Sequence, residues 1–407
     1  MTISEVIASD LCSGCGACAG LSKGAVKMEI SDQGFLRPNI VSAVAQEQDD
    51  FFDKYCPGVT ASHTELLKSE VRSEGSSLWG DYLDYGLAWS SDSNVRESGA
   101  SGGVLTGLAK FLLESGVVDG VLLSKESRIN PYIVETVIET VPENIINYGG
   151  SRYAPSAPLS VIPTIDKFTG SLAVIGRPCD IIALRAIMNE RRDLNKKIKY
   201  LLSFFCAGTP SILGSERIAN KLKFDPSEIK HISYRGNGWP GKTKLVNSQG
   251  VFGEMDYSEA WGSILNKHLQ WRCKICADGV GEAADIVVAD GWDCDERGYP
   301  LFNEKKGKSV YIARSVAGVK LLDEVFTKNI LVQSQADIDI LKSIQPGQYR
   351  RRMTLLSRVL AAKIMFRKVP VYDLTSLFRW FRYGSAKVVL SGFLGTIRTI
   401  VKSRDLS

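Results

Sequence analysis

The feature that most constrains this chain is a group of cysteines near its start. Three of them lie in the run from Cys12 to Cys18, spaced as two overlapping C-x-x-C steps, and Cys56-Pro57 follows later. Such a loop can surround one face of a four-iron cubane, whose fourth thiolate typically comes from elsewhere and precedes proline. Structural zinc sites usually combine two separate C-x-x-C knuckles. The pattern therefore predicts one [4Fe-4S] cluster on Cys12, Cys15, Cys18 and Cys56, with zinc or free thiols as alternatives.

Four further cysteines occur in the second half of the chain. Cys179 and Cys206 each follow a predicted buried strand, and Cys273 and Cys276 form a C-x-x-C pair. Ligands of open α/β sheets collect at the carboxyl ends of adjacent strands, so these four thiols could face one pocket. A second cluster, a zinc site, and buried or catalytic thiols all remain open. The ninth cysteine, Cys294, is expected to be a small buried hydrophobe.

Composition narrows the class of protein. The 407 residues suggest two or three domains. With 44% hydrophobic and 23% charged residues, the chain is typical of a globular protein. Its first residues lack a signal-peptide pattern, and no apolar run approaches the roughly 18 residues of a membrane span. A cytoplasmic protein is therefore expected, whose nine cysteines are thiols or metal ligands and not disulfides.

Charge is concentrated at the end of the chain. The net charge is +5, yet residues 350–407 alone contain thirteen Lys and Arg against two Asp and Glu. Aromatics alternate with bases in Phe366-Arg367-Lys368 and in 378–382, as they do in interfacial helices. We expect amphipathic helices, broken near Pro370 and Gly384, that either dock on an anionic membrane surface or cap the acidic body. Nucleic acid is not an expected partner.

Glycine-rich stretches indicate a phosphate or flavin site. Residues 96–103 run directly into a predicted helix, so successive amides and the helix N-terminus could form an anion nest. Arginine and aromatic side chains suited to flavin phosphates and a flavin ring follow at 151–153 and 177. The alternative is a tight loop that only enters a helix. The candidate flavin-binding residues are Ser98, Gly99, Ser101, Gly102, Gly103, Ser151, Arg152, Tyr153 and Arg177.

Two other patterns are interpreted as non-catalytic. The stretch from Gly236 to Thr243 matches a P-loop literally, but residues 244–250 predict a strand and a turn where a P-loop needs a helix. Pro240 also removes an amide from the loop. The acidic run from Asp278 to Asp295 is expected to be a solvated loop. No general acid is identifiable, and Lys242 and Tyr153 are offered for that role without a motif to support them.

The predicted organisation has four parts. Residues 1–75 form a ferredoxin-like [4Fe-4S] module, and 69–78 has the composition of a linker. Residues 76–170 and 171–345 form a mixed α/β flavin-binding body, of class α+β/α/β, and 346–407 form a basic helical tail. Within the body, periodicity predicts helices over 104–114, 181–188 and 314–329, and strands over 117–123, 172–175, 200–205 and 286–289.

The order of these motifs resembles the beta-subunit family of coenzyme F-420 hydrogenase/dehydrogenase over about residues 10–335. The motifs that carry the resemblance are Cys12, Cys15, Cys18, Cys56-Pro57, Glu97–Gly103, Arg177–Ile181, Phe205–Gly208, Tyr234–Trp239, Arg272–Cys276, Ala284-Asp285-Ile286 and Gly307-Lys308-Ser309. The basic tail is similar to that of bacterial members encoded with polysaccharide genes.

The resemblance implies an FAD-binding iron–sulfur oxidoreductase. It would hold a second [4Fe-4S] cluster on Cys179, Cys206, Cys273 and Cys276, with FAD near residues 98–103 and 151–153. Electrons would pass between ferredoxin, another low-potential donor or a deazaflavin and a substrate, which could be a sugar or isoprenoid-linked intermediate of polysaccharide biosynthesis. A non-catalytic electron-transfer subunit beside a partner enzyme and a zinc-stapled binding module are the two alternatives.

Overall fold

The computed structural model describes residues 1–61, 78–296 and 299–404. His63 and nearly all of the linker predicted at 69–78 lie outside these ranges. The strands of the described residues are β1 Val26–Ile30, β2 Leu36–Ile40, β3 Asp84–Ser90, β4 Gly120–Glu126, β5 Val134–Glu139, β6 Leu172–Gly176, β7 Ile198–Phe204, β8 Ile229–Ser233, β9 Lys242–Asn247, β10 Phe252–Asp256, β11 Ile286–Asp290, β12 Ser309–Ala313 and β13 Leu331–Ser334.

The helices of the same ranges are α1 Ile3–Ala8, α2 Ala17–Leu21, α3 Gln46–Tyr55, α4 Ser93–Ser98, α5 Val104–Glu114, α6 Ile162–Lys167, α7 Pro178–Glu190, α8 Arg192–Lys197, α9 Ile212–Lys221, α10 Tyr257–Glu259, α11 Trp271–Lys274, α12 Val316–Thr327, α13 Ile340–Ile344, α14 Pro346–Ile364, α15 Leu374–Phe381 and α16 Ala386–Arg404.

The largest sheet of the described residues has eight strands in the order β13-β3-β12-β11-β7-β6-β4-β5. Its central strands β4, β6, β7 and β11 run parallel, and the outer neighbours pair antiparallel. The carboxyl ends of the parallel strands therefore meet at one edge of the sheet. Strands from both predicted body segments share this sheet, and the boundary at 170 remains a prediction.

Both faces of the central strands are buried. Leu172 and Val174 face one core, which includes α7, whereas Ala173 faces the core that includes α5 and α12. Parallel strands covered on two sides have continuous apolar runs, because no face is left for polar side chains. This burial explains the apolar runs at 172–175 and 286–289, from which the two strands are predicted. The fold is thus a mixed α/β sheet covered by helices.

The predicted elements agree with the structure, apart from their ends. The helix predicted over 104–114 has those bounds, whereas the one predicted over 181–188 begins earlier, at Pro178. Proline is well suited to the first helical position, since it has no amide to satisfy there. The strand predicted at 117–123 begins only at Gly120, because a turn with Gly116 in the left-handed region precedes it.

The N-terminal segment packs on one face of the body. α1–α3 and the β1–β2 hairpin share an apolar core with α7, to which Val6, Phe52 and Ile187 contribute. A second, antiparallel sheet of β8, β9 and β10 has its own small core with α9. The ferredoxin-like character of the N-terminal segment remains a prediction.

The C-terminal segment is helical and lies against the body. Arg352 of α14 is buried; its Nη1 donates to Leu78 O at 2.7 Å and its guanidinium lies 4.3 Å from the Trp380 ring centroid. α16 approaches α14 closely at Gly392, where a Cβ would come within 2.8 Å of the Thr354 Cβ. None of the helices in the described ranges has the length and apolarity that crossing a membrane requires.

Candidate functional site

The first cysteine group lies in the N-terminal segment. Cys12 and Cys15 are in the loop between α1 and α2, Cys18 is in α2, and Cys56 directly follows α3. The four thiols line one small cavity whose other walls include Ile3, Val6, Phe52 and Tyr55. Burial, together with the neighbouring thiols, raises the pKa of Cys15, Cys18 and Cys56. The structure thus brings together the four cysteines that the sequence singled out.

Glycines shape the loop that carries three of these cysteines. Gly14 and Gly16 have φ of 77° and 81°, a region that L side chains rarely adopt. The Gly14 amide donates to Cys12 Sγ at 3.4 Å. At Gly16, a Cβ would approach Ser160 N to 2.9 Å, so the loop also fits tightly against the body.

The second cysteine group lies at the carboxyl edge of the main sheet. Cys179 is in the first turn of α7, which follows β6, and Cys206 comes just after β7. Cys273 lies in α11 and Cys276 just beyond it. Each of these thiols interacts electrostatically with others of the group, and burial raises the pKa of Cys206 to about 12. The four cysteines therefore converge, although they come from three separate parts of the chain.

The two groups supply four thiols each, and that donor set suits a four-cysteine iron–sulfur cluster or a four-cysteine zinc site. In the ranges that the structure describes, no three His, Cys, Asp or Glu side chains are arranged as ligands of a single metal ion. Each group has a buried donor beside it without a hydrogen-bond partner among the described residues: Ser13 Oγ at the first and Arg272 Nη1 at the second.

One short segment connects the two cysteine groups. Gln270 Nε2 donates both to Ser13 O at 3.1 Å, inside the first loop, and to Cys273 Sγ at 3.4 Å. Arg272, next to Cys273, donates from Nε and Nη2 to Pro57 O at 3.0 and 2.7 Å. Gln270 therefore bridges the loop of the first group and a thiol of the second. Arg272, which precedes Cys273 in the chain, contacts Pro57, which follows Cys56 of the first group.

Cations surround the second group. Arg177 forms a two-point ion pair with Asp180, with Nε and Nη2 each 2.8 Å from a carboxylate oxygen, and Nη1 donates to Thr209 Oγ1. From the tail, Gln348 and Arg351 donate to Cys206 O at 2.9 and 3.1 Å. The helix α14 therefore contributes directly to the environment of these thiols, a role that no sequence motif predicts.

A cavity of about 450 Å³ opens at the same edge of the sheet. The ends of β4, β6, β7 and β11 contribute to its wall, as expected for an open α/β sheet. Cys206 lines it as well, so the cavity adjoins the second cysteine group. Of the nine candidate flavin-binding residues, the structure brings seven to this wall: Gly99, Ser101, Gly103, Ser151, Arg152, Tyr153 and Arg177.

The other two candidates, Ser98 and Gly102, are not part of the wall but shape the loop. The Gly102 amide donates to Ser309 Oγ at 2.9 Å, and a Cβ at Gly102 would come within 2.6 Å of Ala88 O. Gly103 then begins α5 in a left-handed conformation. The loop is therefore held against β3 and β12 by its own hydrogen bonds, and fewer amides face the cavity than the sequence suggested.

Arg152 and Tyr153 offer different chemistry at the wall. Arg152 Nη1 donates to the carbonyls of Tyr148 and Gly150 at 2.9 and 3.4 Å, and burial lowers its pKa. A buried guanidinium with such partners attracts an anionic ligand. Tyr153 contacts Trp261, with ring centroids 4.7 Å apart.

One corner of the cavity is aromatic and cationic, and the sequence motifs did not predict it. Arg235 pairs with Asp290 through two contacts of 3.0 Å, and it lies 4.6 and 5.2 Å from the ring centroids of Tyr257 and Trp292. It also donates to Ala100 O of the glycine-rich loop. An Arg before a glycine-rich turn is visible in the sequence, but its aromatic partners come from distant segments.

The structure also settles the two other patterns. The P-loop-like stretch enters strand β9 and not a helix, as expected, and Lys242 pairs with Glu254 away from the cavity wall. The interpretation of the acidic run as a solvated loop is wrong for Asp278 and Asp285, which are buried. Asp278 accepts three backbone amides, and Asp285 accepts Arg185, Leu201 N and Ser315.

The fold and the site define a mixed α/β protein with two four-thiol groups, the second of which adjoins a large cavity. Two family models match the chain, and both describe the beta subunit of coenzyme F420 hydrogenase/dehydrogenase. The model of its N-terminal part matches residues 86–163, and the model of its C-terminal part matches residues 169–338. The chain belongs to this family, as the resemblance predicted. The family description is that of an oxidoreductase.

Several relatives carry related names. The chain is 23% identical over 326 residues to the coenzyme F420-dependent sulfite reductase of Methanocaldococcus jannaschii, covering 76% of this chain and 46% of that protein. It is 25% identical over 260 residues to the F420-dependent formate dehydrogenase 1 subunit beta of Methanococcus maripaludis, covering 62% and 64%. The chain therefore spans less than two thirds of either relative.

One solved structure shows a similar fold. A chain of the F420-reducing [NiFe] hydrogenase complex from Methanosarcina barkeri aligns with a TM-score of 0.56 and 19% sequence identity. The alignment covers 74% of this chain and 99% of that chain. This supports the mixed α/β architecture and leaves part of the present chain without a counterpart.

Proposed function

We propose that this protein is an iron–sulfur flavoprotein oxidoreductase that carries electrons between a low-potential donor and a substrate. Cys12, Cys15, Cys18 and Cys56 would hold one [4Fe-4S] cluster, and the second cysteine group would hold another. The cavity at the carboxyl edge would hold FAD. The names of the two relatives above, which both concern F420-dependent oxidoreductases, support the reaction class.

The observation that carries the proposal is the continuity of the three sites. The first group is joined to the second by Gln270, which contacts Ser13 O and Cys273 Sγ. The second group meets the cavity at Cys206, which belongs to both. A chain of adjacent redox centres is what single-electron transfer needs, and a structural zinc protein would have no use for it.

Both thiol groups fit an iron–sulfur cluster. The buried donors Ser13 Oγ and Arg272 Nη1 have no acceptor among the described residues, and cluster sulfides accept such hydrogen bonds. Gly14 and Gly16 allow the first loop to turn its amides inward. Apolar side chains, among them Ile3, Val6, Phe52 and Tyr55, exclude water from the first group. This burial would help to set the reduction potential of a cluster bound there.

The cavity fits a flavin nucleotide in size and chemistry. Ligand pockets typically have volumes of about 300–1,000 Å³ with few polar groups on apolar walls. A bound flavin would exchange electrons singly with a cluster and in pairs with a hydride donor or acceptor. Arg152 would bind the phosphates, while Tyr153, Tyr257 and Trp292 would orient the ring system. Arg235, already neutralised by Asp290, would hold the glycine-rich loop in position.

The donor and the substrate are proposed only by class. Ferredoxin or a reduced deazaflavin are the electron donors that the family suggests. A role in polysaccharide biosynthesis, with a sugar or isoprenoid-linked substrate, rests on the sequence resemblance alone. Because the formate dehydrogenase relative is named as a subunit, a partner subunit is also proposed, and the chain would then relay electrons to it.

Anaerobic purification tests the proposal directly. We expect a brown protein with about eight irons and eight sulfides per chain and one FAD. Reduction by ferredoxin or by reduced deazaflavin should bleach the flavin absorbance near its visible maximum. A colourless protein that contains zinc and lacks iron and flavin would establish the zinc-stapled module instead. Bleaching without multiple turnover of any added acceptor would favour the relay subunit.

A further inference from the structure

The last two helices of the described chain, α15 and α16, lie outside the segment that the family models match, which ends at residue 338. The electron-transfer function proposed above makes no use of their outer surfaces. Their sequence from Leu374 to Arg404 contains six Lys and Arg and no Asp or Glu. These helices therefore need an explanation of their own.

α15 has apolar side chains on two sides. Leu377 and Trp380 are buried against the body, as in any surface helix. Leu374, Phe378 and Phe381, however, are 61%, 58% and 36% exposed. These three residues are four and three positions apart, so they form one stripe along the helix. A helix that only covered a core would present polar residues there.

α16 repeats this arrangement. Gly392, Thr396 and Ile400 are buried and form the side that packs on α14. On the far side, the apolar residues Leu390, Leu394 and Val401 recur at helical spacing and are 57%, 43% and 44% exposed. The helix is thus apolar both where it meets the protein and where it faces outward.

Exposed cations flank both stripes. Arg379 and Arg382 lie beside the stripe of α15, and Lys387, Arg398 and Lys402 lie beside that of α16. The ion pairs among the described residues include none of these five side chains. The connection after α14 adds Phe366, which is 93% exposed. We call the two apolar stripes, Phe366 and the five bases together the outer tail face.

We propose that the outer tail face binds the surface of an anionic lipid membrane, with its apolar stripes in the headgroup region and its bases on lipid phosphates. Amphipathic helices of this composition lie in the interface plane and do not cross the bilayer. The absence of acidic side chains from Leu374 to Arg404 matches a negatively charged surface, whereas most protein interfaces mix both signs. The cofactor sites are not required for this binding.

Flotation of the full-length protein with vesicles tests the proposal. One set of vesicles contains phosphatidylcholine with about one third phosphatidylglycerol, and the other contains phosphatidylcholine alone. We expect binding to the anionic vesicles at low salt and a decrease of about tenfold or more in high salt, because exposed charges are screened. No binding to anionic vesicles, or equal binding to both sets, would overturn the proposal.

Two variants locate the binding surface. Leu374→Ser with Phe378→Ser should weaken vesicle binding by about tenfold, and Arg379→Glu with Arg382→Glu should abolish it at low salt. Phe252→Ser, which alters an equally exposed aromatic on β10, is the matched control and should bind like the natural chain. Because all these side chains are exposed, the thermal melting temperature and visible spectrum should stay unchanged.

Two results would contradict this location. The proposal is overturned if Phe252→Ser reduces binding as much as the tail variants do. It is also overturned if the natural chain does not bind anionic vesicles but forms a defined oligomer, and the variant with Leu374→Ser and Phe378→Ser disrupts that oligomer. The outer tail face would then be a protein interface.

Discussion

The two cysteine groups differ in how they are built and in what surrounds them. The first comes mainly from one short loop and is enclosed by apolar side chains such as Val6 and Phe52. The second is assembled from three separate stretches at the edge of the sheet. Arg272 and Arg351 lie beside it, whereas the charge of Arg177 is balanced by Asp180. Positive charge favours the reduced, more negative state of a redox centre. We therefore expect electrons to run from the first group to the second.

Removing one thiol from each group gives the largest expected difference. Cys15→Ser and Cys206→Ser should each lower the iron content to about half, because each abolishes one proposed cluster and leaves the other. Cys15→Ser should also lower the melting temperature more, since the small N-terminal segment would gain much of its stability from the proposed cluster. Anaerobic iron and sulfide assays with thermal melts measure both effects.

The ninth cysteine supplies the control for that experiment. Cys294 belongs to neither group, so Cys294→Ser should retain the full iron content. If either of the other two variants kept all its iron, or if each lost all of it, the two groups would not be independent centres.

An intermediate effect is expected at Arg272, the charged link between the groups. Arg272→Met removes a cation that interacts with Cys276, Cys179 and Cys273, so the reduction potential of the second centre should fall by several tens of millivolts. Arg272→Lys keeps the charge and should shift the potential much less. Redox titration followed by EPR distinguishes the centres.

The first centre should respond less than the second in this titration. Arg272 reaches the first group through its two hydrogen bonds to Pro57 O, next to Cys56, whereas it interacts electrostatically with three thiols of the second group. The potential of the first centre should therefore move less than that of the second in the Arg272→Met variant. An equal or larger shift at the first centre would show that the arginine does not act mainly on the second group, and no shift at the second would show that it does not tune that group.

The smallest expected effect is a difference in the pH dependence of stability between His268, near the second group, and His231, which lies elsewhere. Hydrogen bonding to Glu126, 2.6 Å away, raises the pKa of His231, whereas burial lowers the pKa of His268, two residues before Gln270. Because the pKa of His231 is higher in the folded than in the unfolded state, protonation of His231 stabilises the fold at pH values below its unfolded-state pKa. This contribution is lost as the pH rises through its folded-state pKa. The lowered pKa acts in the opposite direction, so the stability that His268 supports is lost as pH falls.

The two histidines should therefore show opposite trends between about pH 5 and pH 8. His231→Gln should cost most at acid pH, by less than about 1 kcal/mol because the pair is half exposed. His268→Gln should be most favourable at acid pH. Melting temperatures of both variants across this range measure the trends, and parallel curves would contradict the assignment.

Short-range patterns made part of this molecule predictable from its sequence. Cys12, Cys15 and Cys18 are recognisable because their close spacing in the sequence lets all three thiols face one metal cluster. The helix over 104–114 is recognisable by the periodicity of its apolar residues. The sequence offered the four cysteines of the second group as one set of candidates whose role stayed open, since their convergence depends on the order of β6 and β7 in the sheet.

What escaped prediction depends on contacts between distant residues. Gln270 carries no motif, and its role appears only when Ser13 and Cys273 are seen on either side of it. The same holds for Arg235, whose aromatic neighbours Tyr257 and Trp292 are on other segments. The acidic run was expected to be solvated because a charged sequence does not reveal which side chains are buried. Burial of Asp278 and Asp285 is possible because backbone amides and Arg185 donate hydrogen bonds to their carboxylates.

The strand-like contact at Val371 has a consequence for biogenesis. The Val371 amide donates to Val59 O at 2.8 Å, and its carbonyl accepts from the Ala61 amide at the same distance. The segment just after Cys56 is therefore fastened by residues that leave the ribosome about three hundred positions later. If the first group holds the proposed cluster, iron insertion at that loop would be completed only after the part of the chain that contains Val371 has been synthesised.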